Sequence, residues 1–212
     1  MNSFDHDAWR SRIMDRTDLS LSIVHLTRGV DSSKNEVEHL VDSLFQILDS
    51  RIIKPSTSEK GFINGNISAT CFQESPIIGI GQNIINEQNY RKINDKAKVR
   101  YKACGLQFSK LYAFKKGVRP VIYEQTAIAK EFLPPDQYWR IVNFDLSNEK
   151  SIIDWTHERE WRCPGGFNFE IEHASVILPN QAAYRLFVKR CLAEKNNYLQ
   201  MLNGICQMRM TI

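Results

Sequence analysis

The sequence predicts a single α+β domain in which a mixed sheet is flanked by helices. Three observations carry this. The chain has 212 residues, enough for one full core at the usual domain size of roughly 100 to 200 residues. Short β-branched and aromatic runs alternate along it with longer runs of helical spacing. Strand signals then crowd together between Cys163 and Leu178.

The elements follow in order. Residues 1–18 form an N-terminal extension, and Leu19 to Leu26 reads as a strand. Ser32-Ser33 offers an N-cap. Val37, Leu40, Val41, Leu44, Phe45 and Leu48 then repeat at the spacing of one helix face, with His39 off the stripe. After Ile52-Ile53-Lys54-Pro55, the polar, glycine-bearing residues 56–66 predict a flexible loop. Ile67 to Phe72 is the next strand, closed by Gln73-Glu74-Ser75-Pro76, and strand ends are where sites tend to be built. Gln82 to Arg100 is polar and in part helical, with a basic cluster of Lys92, Lys96, Lys98 and Arg100. Gly79-Ile80-Gly81 is not a phosphate loop, because no Gly-Lys-Ser/Thr follows it.

Leu106-Gln107-Phe108 and Pro120-Val121-Ile122-Tyr123 read as strands bracketing a helical turn from Ser109 to Lys116 that Gly117 ends. Pro134-Pro135 starts a helix near Asp136, with a strand from Ile141 to Phe144 as the alternative for its later part. Cys163-Pro164-Gly165-Gly166 makes a turn, followed by strands over Phe167 to Ile171 and Ala174 to Leu178. Asn180 caps a helix carrying Ala183, Leu186, Phe187, Cys191 and Leu192, and a further helical piece covers Tyr198 to Leu202.

Composition sets the bounds on function. The chain is 42% hydrophobic and 25% charged, within the globular range. It has no apolar run near the roughly 20 residues a membrane span needs and no apolar stretch after its charged start. A soluble, cytoplasmic protein is the expectation. Five widely spaced cysteines with no C-x-x-C pair read as reduced thiols. The net charge of +4 permits a polyanionic partner such as DNA without demanding one.

The segment His157-Glu158-Arg159-Glu160-Trp161-Arg162 holds the chemistry. In a strand of period two, Glu158, Glu160 and Arg162 share one face while Trp161 and Cys163 turn the other way into a core. The plain alternative is a solvated edge. His25, in the run Ile23-Val24-His25-Leu26, either meets a ribose hydroxyl or is a satisfied core residue. Arg28 and Lys110 are candidates for phosphates, Tyr123 for a stacking wall under a base, and Ser109 for a nucleotide contact. No Ser, His and Asp order marks Ser109 as a nucleophile. His157, Glu158, Glu160, Cys163 and His173 lie close in sequence, but the alternation splits them and no zinc spacing appears, so no metal is expected.

Val24-His25-Leu26-Thr27-Arg28, the helix with Ile47-Leu48 and the exit Arg51-Ile52-Ile53 resemble the opening of the DarT-type ADP-ribosyltransferases, although the glycine before that exit is missing. Thr70 to Pro76, Gly105 to Lys110, Pro120 to Tyr123 and Glu158 to Arg162 resemble the AbiGi-type phage-resistance proteins and related proteins of unknown function. The resemblance spans roughly residues 20 to 180. It implies an ADP-ribosyltransferase-like fold, NAD as substrate, and Glu160 as the glutamate at the nicotinamide ribose, with Glu158 completing an E-x-E pair. His25, Thr27, Arg28, Ser109, Lys110, Tyr123 and Arg162 would line the cofactor or substrate.

The chemistry suits carboxylates. Breaking the bond from ribose C1′ to a base builds oxocarbenium character, which a carboxylate near the ring stabilises. A second carboxylate can orient or deprotonate the nucleophile. Three classes stay open: an ADP-ribosyltransferase-like antiphage enzyme on NAD with a nucleic-acid or protein acceptor, a DNA glycosylase acting on a flipped, modified base, and a noncatalytic, antitoxin-like partner.

Overall fold

The computed structural model describes residues 3–27, 36–56, 63–94 and 101–208. In chain order its first elements are α1 (His6–Met14), β1 (Ser22–Leu26), α2 (Glu36–Ser50), β2 (Ile52–Ile53), β3 (Ala69–Gln73) and α3 (Ile77–Ile93). Next come β4 (Gly105–Ser109), α4 (Lys110–Lys115), β5 (Arg119–Pro120), β6 (Ile122–Glu124), α5 (Thr126–Phe132) and β7 (Ile141–Asn143). The chain ends with β8 (Glu160–Pro164), β9 (Phe167–Asn168), β10 (Ser175–Leu178), α6 (Gln181–Ala193), α7 (Tyr198–Met201) and β11 (Gly204–Gln207). Short 3-10 helices cover Pro135–Arg140, Thr156–Glu158 and Ile171–His173. The protein is α+β, with helices flanking a mixed sheet.

The chain folds as two compact units interleaved in sequence: residues 1–51, 75–110 and 169–212, and residues 52–74 and 111–168. In the first unit the strands run β11-β10-β4-β1. β1, β4 and β10 pair antiparallel, and the parallel β10/β11 pair makes the sheet mixed. Leu40, Val41, Leu44, Phe45 and Leu48 of α2 are buried, as the stripe predicts. Phe45 meets Phe187 of α6 with ring centroids 5.3 Å apart. Val24, Ile80, Ile84, Ile177 and Met208 form a further cluster. Gly105 is needed where it stands, because a Cβ there would lie 2.0 Å from the His25 carbonyl oxygen across the β1/β4 pair.

In the second unit β8 lies between β3 and β5, antiparallel to both, beside the antiparallel β2/β9 and parallel β6/β7 ribbons. One face of β3 packs Ala69 and Cys71 against Ile63 and Trp139. On the other, Phe72 meets Phe167 edge to face at 5.1 Å.

Several expectations change. The N-terminal extension holds a helix, α1, whose Asp5 side chain accepts a hydrogen bond from the Ala8 N–H. The strand expected over Phe167 to Ile171 stops at Asn168, and residues 171–173 turn as a 3-10 helix. The helix expected from Asp136 is also a single 3-10 stretch, with β7 taking the strand alternative. α5 and β11 carry too few periodic residues to be legible in the sequence. Gly79 and Gly81 lie inside α3. The Asn180 cap forms, its side chain accepting from the Ala183 N–H. Ser32-Ser33, Lys96, Lys98, Arg100 and residues 57–62 of the expected loop lie outside the described residues. No described helix is long and apolar enough to cross a membrane.

Candidate active site

The expected charged strand exists, and Cys163 is buried as expected, but the strand starts at Glu160 and its charged face is buried too. Glu158 ends the preceding 3-10 helix, and Arg159 takes a left-handed conformation at φ 46° before β8 begins. That conformation costs a non-glycine residue roughly 1 to 2 kcal/mol. It breaks the period-two count, so Glu158 is not the strand neighbour of Glu160. Nor is the charged face wet. Glu160 is 9% exposed and Arg162 2%, whereas Trp161 is only half-buried. A solvated edge is excluded, because β8 is the middle strand of its three.

Charge pairing makes this burial tolerable. Arg162 Nε donates to Glu160 Oε1 at 2.8 Å and Nη2 to Oε2 at 3.1 Å, a fork-to-fork contact. Arg162 Nη1 donates to the backbone oxygens of Trp139 and Ile141 at 2.8 and 3.1 Å. The guanidinium thus joins the strand to the segment that covers it. Burial lowers the Arg162 pKa, and the Glu160 carboxylate more than offsets this, leaving it above its ordinary value.

Strand register assembles the neighbours. Glu160 sits opposite Gln73 and Arg162 opposite Cys71. The Glu160 carbonyl accepts from the Val121 N–H and its own N–H donates to the Tyr123 hydroxyl at 2.8 Å. Both backbone groups of Glu160 therefore point away from β3, which makes Gln73 and Glu160 a non-hydrogen-bonded pair whose side chains stand close. Gln73 is 5% exposed, and its Oε1 has no hydrogen-bond partner among the described residues. Burial, then Glu160, pushes the Cys71 thiol far above its usual range. The Tyr123 hydroxyl is pushed up to about 12, chiefly by burial, with Glu160 and Glu158 adding to the rise. Glu158 therefore lies within electrostatic reach of the same cluster. On the other face of the β3/β8 pair, Trp161 Nε1 donates to Glu74 Oε2 at 2.7 Å.

The structure thus brings Glu158, Glu160, Tyr123 and Arg162 together in the second unit. Tyr123 serves there through its hydroxyl, which accepts from the Glu160 backbone; that hydroxyl contact was not expected of a stacking wall. His25, Thr27, Ser109 and Lys110 belong to the first unit. His25 is half-buried in β1 opposite Leu106. Thr27 is 4% exposed and its hydroxyl donates to the Cys104 carbonyl at 2.9 Å, so it clamps backbone to backbone. Ser109 is exposed at the end of β4. The Lys110 ammonium lies 5.9 Å from the Trp9 ring centroid. Arg28 lies outside the described residues.

Gln73, Cys71 and Trp139 were not among the candidate site residues, although Gln73 stands at a strand end marked as a place for a site. The signal for the first two was the alternation Ala69, Cys71, Gln73, which puts a small, a thiol and an amide side chain on one strand face. All five cysteines are free thiols. Among the described residues no group of three His, Cys, Asp or Glu side chains could hold a metal ion.

A carboxyl group fixed by a guanidinium, beside a protonated phenol and an unsatisfied amide oxygen, can accept hydrogen bonds from hydroxyl groups and act on nearby positive charge. No family model, curated protein or solved structure matches this chain.

Proposed function

We propose that this chain acts at an N-glycosidic bond as an ADP-ribosyltransferase-like enzyme, with NAD as substrate and a nucleic-acid or protein acceptor, in antiphage defence. One observation carries the chemistry: Arg162 holds both oxygens of Glu160 although only 10% of the Glu160 side chain is exposed. A carboxylate buried to that degree needs fixed hydrogen-bond donors, and the guanidinium supplies one to each oxygen. Each oxygen retains a lone pair beyond its bond to Arg162, enough to accept from a ribose hydroxyl. As the bond from C1′ to the nicotinamide nitrogen breaks, its electron pair leaves with neutral nicotinamide. The fixed carboxylate then stabilises the oxocarbenium ion without reorganising. Glu158 is the second carboxylate, orienting the incoming nucleophile.

The test incubates the protein with NAD and DNA or a protein extract and measures released nicotinamide. Glu160→Gln and Glu158→Gln are run beside it, with melting curves to establish that each variant folds. Release by the native chain is expected, reduced about 100-fold or more in folded Glu160→Gln. No release with any acceptor refutes the reading. Abasic sites formed in DNA without NAD consumption replace it with a DNA glycosylase.

A further inference from the structure

We propose that Arg119 and Arg140 form a subsite for the phosphate groups of a nucleotide. Arg119 lies in β5, and Arg140 ends the 3-10 helix before β7. Arg119 Nη1 donates to the carbonyls of Phe114 and Val118, both at 2.8 Å, and its guanidinium carbon stacks 3.8 Å from the Phe114 ring centroid. Arg140 Nε and Nη2 both donate to the Pro120 carbonyl, at 3.2 and 3.1 Å. Backbone acceptors and an aromatic face thus hold both side chains in place, which lowers the conformational entropy lost when a ligand binds.

The two cations are set together without an acid. After burial, the charge of Arg119 is the next influence lowering the Arg140 pKa, so the guanidiniums lie within repelling range. Neither forms an ion pair with a carboxylate among the described residues. Arg119 Nε and Nη2 and Arg140 Nη1 keep N–H donors with no partner among the described residues. Residues 111–123 contain Lys115, Lys116 and Arg119 and no Asp or Glu. A multivalent oxyanion offsets such repulsion and matches the planar fork of arginine.

Position points to a nucleotide. Arg119 is the cross-strand partner of Arg162, which grips Glu160, and Arg140 precedes Ile141, whose carbonyl accepts from Arg162. The strand that bears Arg119 is therefore about one strand spacing, roughly 4.8 Å, from the strand that bears Glu160. The nucleotide identity rests on the proposed role of Glu160; the oxyanion subsite does not.

Calorimetric titration with inorganic pyrophosphate and ADP-ribose, and with a short single-stranded oligonucleotide, tests this. The native chain is compared with Arg119→Gln and with Arg119→Gln/Arg140→Gln. Melting curves accompany each, and Arg119→Gln alone leaves the Pro120 contacts of Arg140 in place. Pyrophosphate and ADP-ribose are expected to bind the native chain, to weaken at least threefold in Arg119→Gln and at least tenfold in the double variant. Equal binding by native chain and folded variants overturns the subsite, as does no binding of either probe to the native chain. An effect confined to the oligonucleotide overturns it in favour of a nucleic-acid backbone surface. Lost pyrophosphate binding in a protein that never releases nicotinamide keeps the subsite and removes the Glu160 reading. Nicotinamide release with KM unchanged in the double variant does the reverse.

Discussion

α2 and β8 are both two-faced segments, yet they bury opposite kinds of side chain. α2 turns Leu40, Leu44 and Leu48 inward and leaves Glu38, Asp42 and Asp49 exposed, as water-avoiding apolar surface requires. β8 turns Glu160 and Arg162 inward and leaves Trp161 half-exposed. The difference lies in what each buried group finds. A leucine needs only shape, so its burial follows from its own chemistry. A buried charge costs several kcal/mol unless it meets an opposite charge and acceptors for its remaining donors. Arg162 meets both, in Glu160 and in the carbonyls of Trp139 and Ile141.

Removing one half of the pair should therefore have the larger effect. Arg162→Met is expected to destabilise the protein by about 3 to 5 kcal/mol, since it leaves Glu160 buried beside two orphaned carbonyls. Glu160→Met/Arg162→Met should recover much of that loss. Urea denaturation of both variants measures the coupling, and equal losses would mean that the two side chains do not act as a pair.

In α2, Leu44→Ala should cost about 2 to 5 kcal/mol with no second substitution able to restore it, because the deficit is a cavity. Recovery on changing a charged neighbour would erase the contrast between the segments. The smallest effect is alkaline. The Tyr123 pKa is raised by burial from 10.0 to about 12, so the folded protein keeps a proton that the unfolded chain has lost. That contribution is complete below pH 10 and disappears as pH rises toward 12. Urea midpoints should fall between pH 10 and 12 more steeply in the native chain than in Tyr123→Phe, and parallel falls would exclude Tyr123 as a source.

Legibility followed the same division. The α2 stripe, the Asn180 cap and the apolar run of Ser175–Leu178 are each read from a pattern within about a dozen residues, and each formed, whereas Cys163 and Pro164, expected to turn, extend β8. Glu160, Arg162 and Tyr123 were picked out as candidates, but their burial and bonding were not. Arg162 is bound to oxygens 21 and 23 residues away, and Tyr123 to a backbone N–H 37 residues away. Gln73 and Glu160 meet across strands 87 positions apart, a distance at which local pattern carries no signal. β11 was missed because a four-residue strand owes its existence to the exposed edge of β10.

By itself the sequence determined the α+β class, the helix faces and caps, and the presence of two glutamates and an arginine in one short segment. Those follow from side-chain chemistry read at fixed local periods. Tertiary structure decided which face of β8 is inside, that Glu158 leaves the strand at the left-handed Arg159, and that Glu160 has a guanidinium on both oxygens. The physical reason is that an apolar side chain is driven from water whatever lies opposite. A charged one goes inside only where distant parts of the chain supply its partners.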